Sequence, residues 1–235
     1  MSSEKHKIFL SIERSKIMIG AFQSSNLQTV FFKKYNCELV LEEKNFDLSN
    51  AEKIIEKIIV ETEKATGQFI NDIYLIIDSP SSSITELSLS KNNEGKKIEV
   101  RDILYLIQDC KQQILRSNFD KEIVHIILNN YFVDGNITKV LPKDIECKKF
   151  SIDLQFICFS KEIIRKFEKL FNDHQININR IICTKYVKSL VNLNDYNICE
   201  LGLKVVEGLN KQEVVLIPKK QEKKGFFERL FHFFR

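Results

Sequence analysis

"KIFLSIERSKIMIGAF", Lys7 to Phe22, sets two runs rich in Ile and Phe on either side of a polar break, Glu13 to Lys16. Short apolar runs bounded by polar turn residues read as strands. "QTVFFKKY" (28–35) follows at close spacing and reads as a third, so the chain opens with a meander. Beyond it, "LSNAEKIIEKIIVETEKATG" (48–67) is the clearest helix: Ser49 with Glu52 predicts a capping box, and Gly67 predicts the stop. Ala51, Ile54, Ile55, Ile58, Ile59 and Thr62 share one helical face, which predicts packing on the meander's sheet. "INDIYLIID" (70–78) adds a buried strand.

From Ser81 the pattern restarts, with a strand-like "ITELSLS" (84–90) and then "EVRDILYLIQDCKQQIL" (99–115), whose Val100, Ile103, Leu104, Ile107 and Ile114 predict the buried helical face. "EIVHIILNNYFVDG" (122–135) and "KKFSIDLQFICFS" (148–160) read as strands; in the second, Phe150, Ile152, Leu154, Phe156 and Cys158 alternate with polar residues. "KEIIRKFEKLFNDHQ" (161–175) is amphipathic through Ile164, Phe167, Leu170 and Phe171. "ININRIICTKYVKSLV" (176–191) predicts a strand running into a short helix, and "ICELGLKVVEGL" (198–209) a last helix. The order is that of an α/β chain, α+β with mixed sheets.

With 43% hydrophobic and 29% charged residues over 235 positions, the chain can bury a core and is not disordered throughout. No apolar run approaches the roughly 20 residues needed to span a bilayer. "MSSEKHKIFL" lacks the apolar centre of a signal peptide, and Cys37, Cys110, Cys147, Cys158, Cys183 and Cys199 form no CxxC pair, so reduced core thiols in a cytosolic body are expected. His6, His125, His174 and His232 lie too far apart for a local metal cluster, so no metal site is expected.

Charge and aromatic content meet at one end. From Lys219 onward six basic residues face two acidic ones, Glu222 and Glu228, which accounts for the whole net charge of +4. Five of the 18 phenylalanines lie within the last ten residues. On a helix, Phe226, Phe227, Leu230, Phe231, Phe233 and Phe234 cover an arc of roughly 160°, with Glu228, Arg229, His232 and Arg235 opposite. A helix this short is marginal in water and needs an apolar surface to form on. The protein's own core is one such surface. The polar stretch to Lys224, with Lys223 and Lys224 at its end, favours the other, an anionic bilayer interface. The run "KKQEKK" invites a nucleic-acid reading, but a neutral body and an aromatic stripe without interleaved polar readout argue against one.

His125, in an apolar strand, reads as a satisfied core or edge histidine, since no nucleophile or carboxylate pattern converges on it. Asp134-Gly135 reads as a turn, and "DSPSSS" (78–83) as a loop without the GxSxG elbow of a serine nucleophile.

Taken in order, the segments resemble FtsA, the actin-related bacterial cell-division family. "AEKIIEKIIVETEKATGQFINDIYLIID" is similar to the helix and strand of its first actin-like subdomain. "EIVHIILNNYFVDG" is similar to its "LHVIPQEYxxD" segment, with His125, Tyr131 and Asp134 on matching positions. "KEIIRKFEKLFNDHQININRIICTKYVKSLV" is similar to the passage after the inserted subdomain, and "GFFERLFHFFR" to the membrane-targeting helix. The resemblance implies an actin-like subdomain in two parts (1–80 and 161–210), an inserted SHS2-type subdomain (81–160), a basic linker (211–224) and a membrane-targeting amphipathic helix (225–235).

The departures bear on mechanism. Where the family's phosphate loop reads roughly GL(D/E)IGTTK, this chain has "FLSIERSK": Ser11 replaces the acid, Glu13 a glycine and Arg14 a small hydroxyl residue, while Lys16 matches the loop lysine. Glycine there lets backbone N–H groups approach phosphate, so Glu13 adds both bulk and charge against an anion. The second, DIGGGTT-like loop is absent, and "KSLVNLNDYN" leads almost directly to the last helix. The resemblance therefore implies one lobe without its opposite cleft wall, no cofactor and no catalysis. It also implies division proteins (FtsZ or later components) and neighbouring protomers as partners through 81–160, anionic lipids as partners of the tail, and the inner membrane at the division septum as location. The alternatives are a divergent ATPase completed by a partner and a pilus-assembly protein with the same inserted subdomain.

Overall fold

A computed structural model of the chain describes residues 5–41, 46–191 and 196–215. In chain order the elements are β1 (His6–Glu13), β2 (Lys16–Gln23), β3 (Thr29–Asn36), β4 (Val40–Leu41), β5 (Phe46–Asp47), α1 (Ser49–Thr66) and β6 (Asp72–Ile77). There follow β7 (Ser83–Asn92), α2 (Val100–Ser117), β8 (Lys121–Val133), β9 (Asn136–Thr138) and β10 (Lys149–Ser160). The chain then returns through α3 (Lys161–Asn172), β11 (Asn177–Cys183), α4 (Thr184–Leu190) and α5 (Ile198–Val206). This is a mixed α/β fold built on two main sheets.

The first sheet has the order β11-β6-β1-β2-β3. The opening meander is antiparallel, whereas β6 and β11 run parallel to β1. Alternation along β1 and β2 puts Ile8, Leu10, Ile12, Ile17, Ile19 and Ala21 on one face and Phe9, Ser11, Met18, Gly20 and Phe22 on the other. All are buried, so both faces need a cover. On the first, α1 buries Ala51, Ile55, Ile58 and Thr62, and its Glu61 takes bonds from Lys33 (2.6 Å) and from the Tyr35 hydroxyl. On the second lies α5. A Cβ on Gly20 would stand 2.8 Å from Cys199 Cβ, and one on Gly202 2.5 Å from Ile76 Cδ1, so these two glycines let helix and sheet approach.

Gly67 closes α1 in the left-handed region (φ 68°), as its sequence predicts. The predicted capping box does not form. Asp47 instead accepts from Ser49 N (2.9 Å) and Oγ (3.0 Å), leaving Leu48 as an N-cap with no side-chain bond.

Between β6 and β11 the chain builds a second, antiparallel sheet, β7-β10-β8-β9. Asp134 and Gly135, both at positive φ (47° and 87°), make the two-residue turn from β8 to β9. The apolar face of β10, Phe150 through Cys158, packs under α2. The α2 face differs from the predicted one: Val100 and Leu104 are 42% and 47% exposed, while Leu106 and Cys110 are buried with Ile103, Ile107 and Ile114. Asp102 binds both Lys91 of β7 (2.5 Å) and the Glu99 N–H (3.1 Å), and Leu106 and Cys110, four and eight residues on, lie on the same side of the helix.

The sheets share a boundary core, because Ile127 of β8 and Ile157 and Phe159 of β10 join the cluster of the first sheet. There α3 follows without a loop, its Ser160 cap accepting from Glu162 N (3.2 Å), and buries Ile163, Ile164, Phe167, Leu170 and Phe171. All six cysteines are free and buried, and burial lifts the Cys110 thiol to about 11. No helix among the described residues is long and apolar enough to cross a membrane.

Candidate functional site

The β1–β2 hairpin pairs Glu13 with Lys16 and places Arg14 and Ser15 at its tip. Ser11 is fully buried on the face covered by α5. The Cys199 thiol donates to the Phe9 carbonyl (3.6 Å) in the same layer. Glu13 is 8% exposed, its Oε2 lying 3.3 Å from Lys188 Nζ and 3.5 Å from Lys16 Nζ. Lys16 thus answers a carboxylate of its own chain. The tip carbonyls of Ser15 and Arg14 are taken by Cys37 N (3.0 Å) and Leu39 N (2.8 Å). Ser11 Oγ, Glu13 Oε1 and Thr184 Oγ1 are buried without a hydrogen-bond partner among the described residues.

A nucleoside phosphate does not fit here. Phosphate cradles use exposed backbone N–H groups on glycine loops. This hairpin has no glycine between Phe9 and Lys16, and it offers a carboxylate held between two lysines.

A second constellation, absent from the sequence reading, lies where the two sheets meet. His125 of β8 has a side chain with no exposure. Its Nε2 accepts from Cys183 N (2.9 Å), so Nδ1 carries the proton and donates to Glu213 Oε1 at 2.6 Å. The same carboxylate takes Arg180 of β11 and, through Oε2, the Tyr186 hydroxyl of α4 (3.2 Å), which itself accepts from Asn210 Nδ2 (3.0 Å). Burial depresses the His125 pKa, only partly offset by Glu213. Burial pushes the Glu213 carboxyl up, but His125, Arg180 and Tyr186 outweigh it and hold the group below the usual glutamate range. The ion pair is therefore Arg180–Glu213, beside a neutral imidazole. With both ring nitrogens committed, His125 cannot serve as a general base, in keeping with the structural role its apolar setting predicts.

Glu213 belongs to a stretch read from sequence as the start of a linker. Residues 211–215 instead run antiparallel to β8: Leu128 N donates to Gln212 O and Val214 N to Ile126 O, both at 2.8 Å. The predicted membrane-contacting residues Lys223, Lys224, Phe226, Phe227, Arg229, Leu230, Phe231, Phe233, Phe234 and Arg235 lie outside the described residues. Of the "DSPSSS" serines, Ser79 and Ser81 are buried with their hydroxyls 2.9 Å apart, and Ser83 Oγ accepts from Lys121 Nζ (2.9 Å). Asp134 accepts from Lys148 N (2.9 Å) and Lys149 N (2.8 Å), a turn role.

Where α2 and β8 meet residues 211–214, Val100, Leu104, Leu141 and Val214 line an open cleft of about 190 Å³ together with Lys139, Lys211 and Glu213. Val140 and Ile137 are 76% and 65% exposed nearby.

No protein-family model and no curated protein matches the sequence. Among solved structures, the chain is similar to a chain of a PilM–PilN type IV pilus biogenesis complex (5% identity, TM-score 0.48, covering 78% of this chain and 49% of that one). It is also similar to the cytoplasmic domain of EpsL, an inner-membrane component of the Vibrio cholerae type II secretion system (8%, 0.37, 81% and 59%). A third is a Bacteroides thetaiotaomicron protein with an actin-like ATPase fold and unknown function (9%, 0.33, 79% and 54%). The chain spans between 49% and 59% of the length of these proteins.

Proposed function

We propose that this chain is a non-catalytic, FtsA-like adaptor: one reduced actin-like lobe with an inserted partner-binding unit, held by residues 225–235 on the cytoplasmic face of the cell membrane at the division septum. The closed face over β1 supports this most directly, because Ser11 is buried and Glu13 is held between two lysines where a nucleotide would need open N–H donors. A lobe without a phosphate site works by contact. The break between β6 and β11, filled by a separate sheet with its own helix, has the order expected of an inserted subdomain.

The cleft beside α2 joins apolar Val100, Leu104, Leu141 and Val214 with Lys139 and Lys211, which suits an apolar segment carrying acidic residues from a division protein, FtsZ or a later component. Anionic lipid headgroups are the partner of the tail, where the whole basic excess of the chain sits beside its phenylalanines. No cofactor, metal or nucleic acid is part of this reading.

Isothermal titration of the full chain with Mg-ATP tests it. The expected result is no saturable heat up to millimolar nucleotide. Micromolar binding would contradict the account and favour an ATPase completed by a partner.

A further inference from the structure

We infer that the free edge of β7 pairs with β7 of a second copy of this chain, antiparallel about Ser88, joining two inserted units through one continuous sheet. A free strand edge is a template for another strand, and proteins usually blunt one by shortness, charge, proline, bulges or cover.

The other edges are blunted. β9 has three residues. β3 carries exposed Lys34, and its ladder slips at Ala21/Phe22. β11 slips between Ile178 and Arg180 and is bonded to His125 at its end. By contrast β7 runs ten residues without proline or glycine, in unbroken register with β10. Its two charges are engaged elsewhere: Lys91 binds Asp102, and Glu86 accepts from Gln155 (3.2 Å).

Asn93 N donates to Lys148 O (2.7 Å) where the β7–β10 ladder continues. By the alternation of an antiparallel pair, odd-numbered residues then bond β10, and the N–H and C=O groups of Ile84, Glu86, Ser88, Ser90 and Asn92 face outward. Among the described residues, no backbone bond from outside the sheet reaches them.

The sequence selects a second copy as occupant, since a two-fold interface must be self-complementary. About Ser88, "TELSLSK" (85–91) is nearly symmetric. Leu87 meets Leu89 of the copy and Leu89 meets its Leu87, on the face where both already pack beside the α2 core. On the outer face Ser88 meets Ser88 and Glu86 meets Ser90, while Thr85 meets Lys91 on the inner face. No like charges stand opposite each other, and the leucine pairs extend the core across the junction.

A cysteine probe reads this geometry cleanly because all six native cysteines are buried. In the full chain, Ser88→Cys with a short bifunctional maleimide is expected to give a covalent dimer, twice 27.6 kDa, as the main product. Lys34→Cys on β3 should stay monomeric under the same conditions. Sedimentation at tens of micromolar protein should show a dimer for the parent and a monomer for Ser88→Pro, since proline is tolerated on a strand edge but removes the central outward N–H. A parent chain that sediments as a monomer overturns the inference, as does equal cross-linking of both cysteine variants. Should Ser88→Pro fail to fold, the cross-linking comparison decides.

Discussion

Phe227→Glu combined with Phe231→Glu is expected to move the protein from the membrane fraction to the soluble one, with no change in the melting of the folded body. Both rings sit on the apolar arc of the helix predicted over 225–235. A fully buried Phe contributes about 1.5 to 3 kcal/mol, and an interfacial ring part of that, so losing two weakens partitioning by roughly 10- to 100-fold before the added carboxylates repel the leaflet. Raised salt should weaken binding only partially, because screening removes the lysine and arginine contribution and leaves ring burial intact. A collapse of the melting temperature in the double variant would instead mean that this stripe belongs to the protein's own core.

The second large effect falls on stability. Glu213→Ala removes the acceptor shared by His125, Arg180 and Tyr186, at a side chain only 3% exposed. Deleting one partner of a buried pair leaves the other charge uncompensated and costs about 3 to 5 kcal/mol. For a chain of this size that is roughly 6 to 20 °C in melting temperature. The same network gives stability a pH slope of one sign. His125 has a depressed folded-state pKa, so as pH falls below about 6.5 the unfolded chain takes up a proton that the folded one refuses, and stability declines. Glu213 is also depressed, so its contribution is present above about 4.3 and is lost as pH falls through the lower folded value. Melting curves should therefore hold from pH 7.5 to about 6.5 and shift down below that. His125→Gln, which keeps an acceptor for Cys183 N, should flatten the upper part of that slope. A slope unchanged in His125→Gln would assign the pH dependence to other groups.

Much of the fold is legible along the chain because it rests on local periodicity. The meander, the β10 alternation and the stripe of α3 each report a buried face within one element. On α2 the spacing is ambiguous: Val100 and Leu104 fit the helical period beside Ile103 and Ile107 as well as Leu106 and Cys110 do, and only packing on the sheet selects the second pair. The α1 cap was lost to competition at close range, with Asp47 taking the donors of Ser49. In the candidate site, the acid Glu13 and the lack of glycine from Phe9 to Lys16 are visible in the sequence itself. The clamp of Lys188, 175 residues away, emerges only from folding. Glu213 reaches His125 across 88 residues, and the one hint in sequence is an acid standing just before the apolar run "VVLI" in a stretch otherwise read as solvated. The pattern is physical: period reveals which side of an element is buried, whereas polar partners are chosen by topology.

Co-sedimentation with vesicles containing anionic lipid, comparing the intact chain with one ending at Pro218, tests the membrane adaptor most directly. The intact chain should pellet with the vesicles and the shortened one should remain in the supernatant while melting as before. Equal pelleting of the two, or an intact chain that stays in solution, would contradict the account.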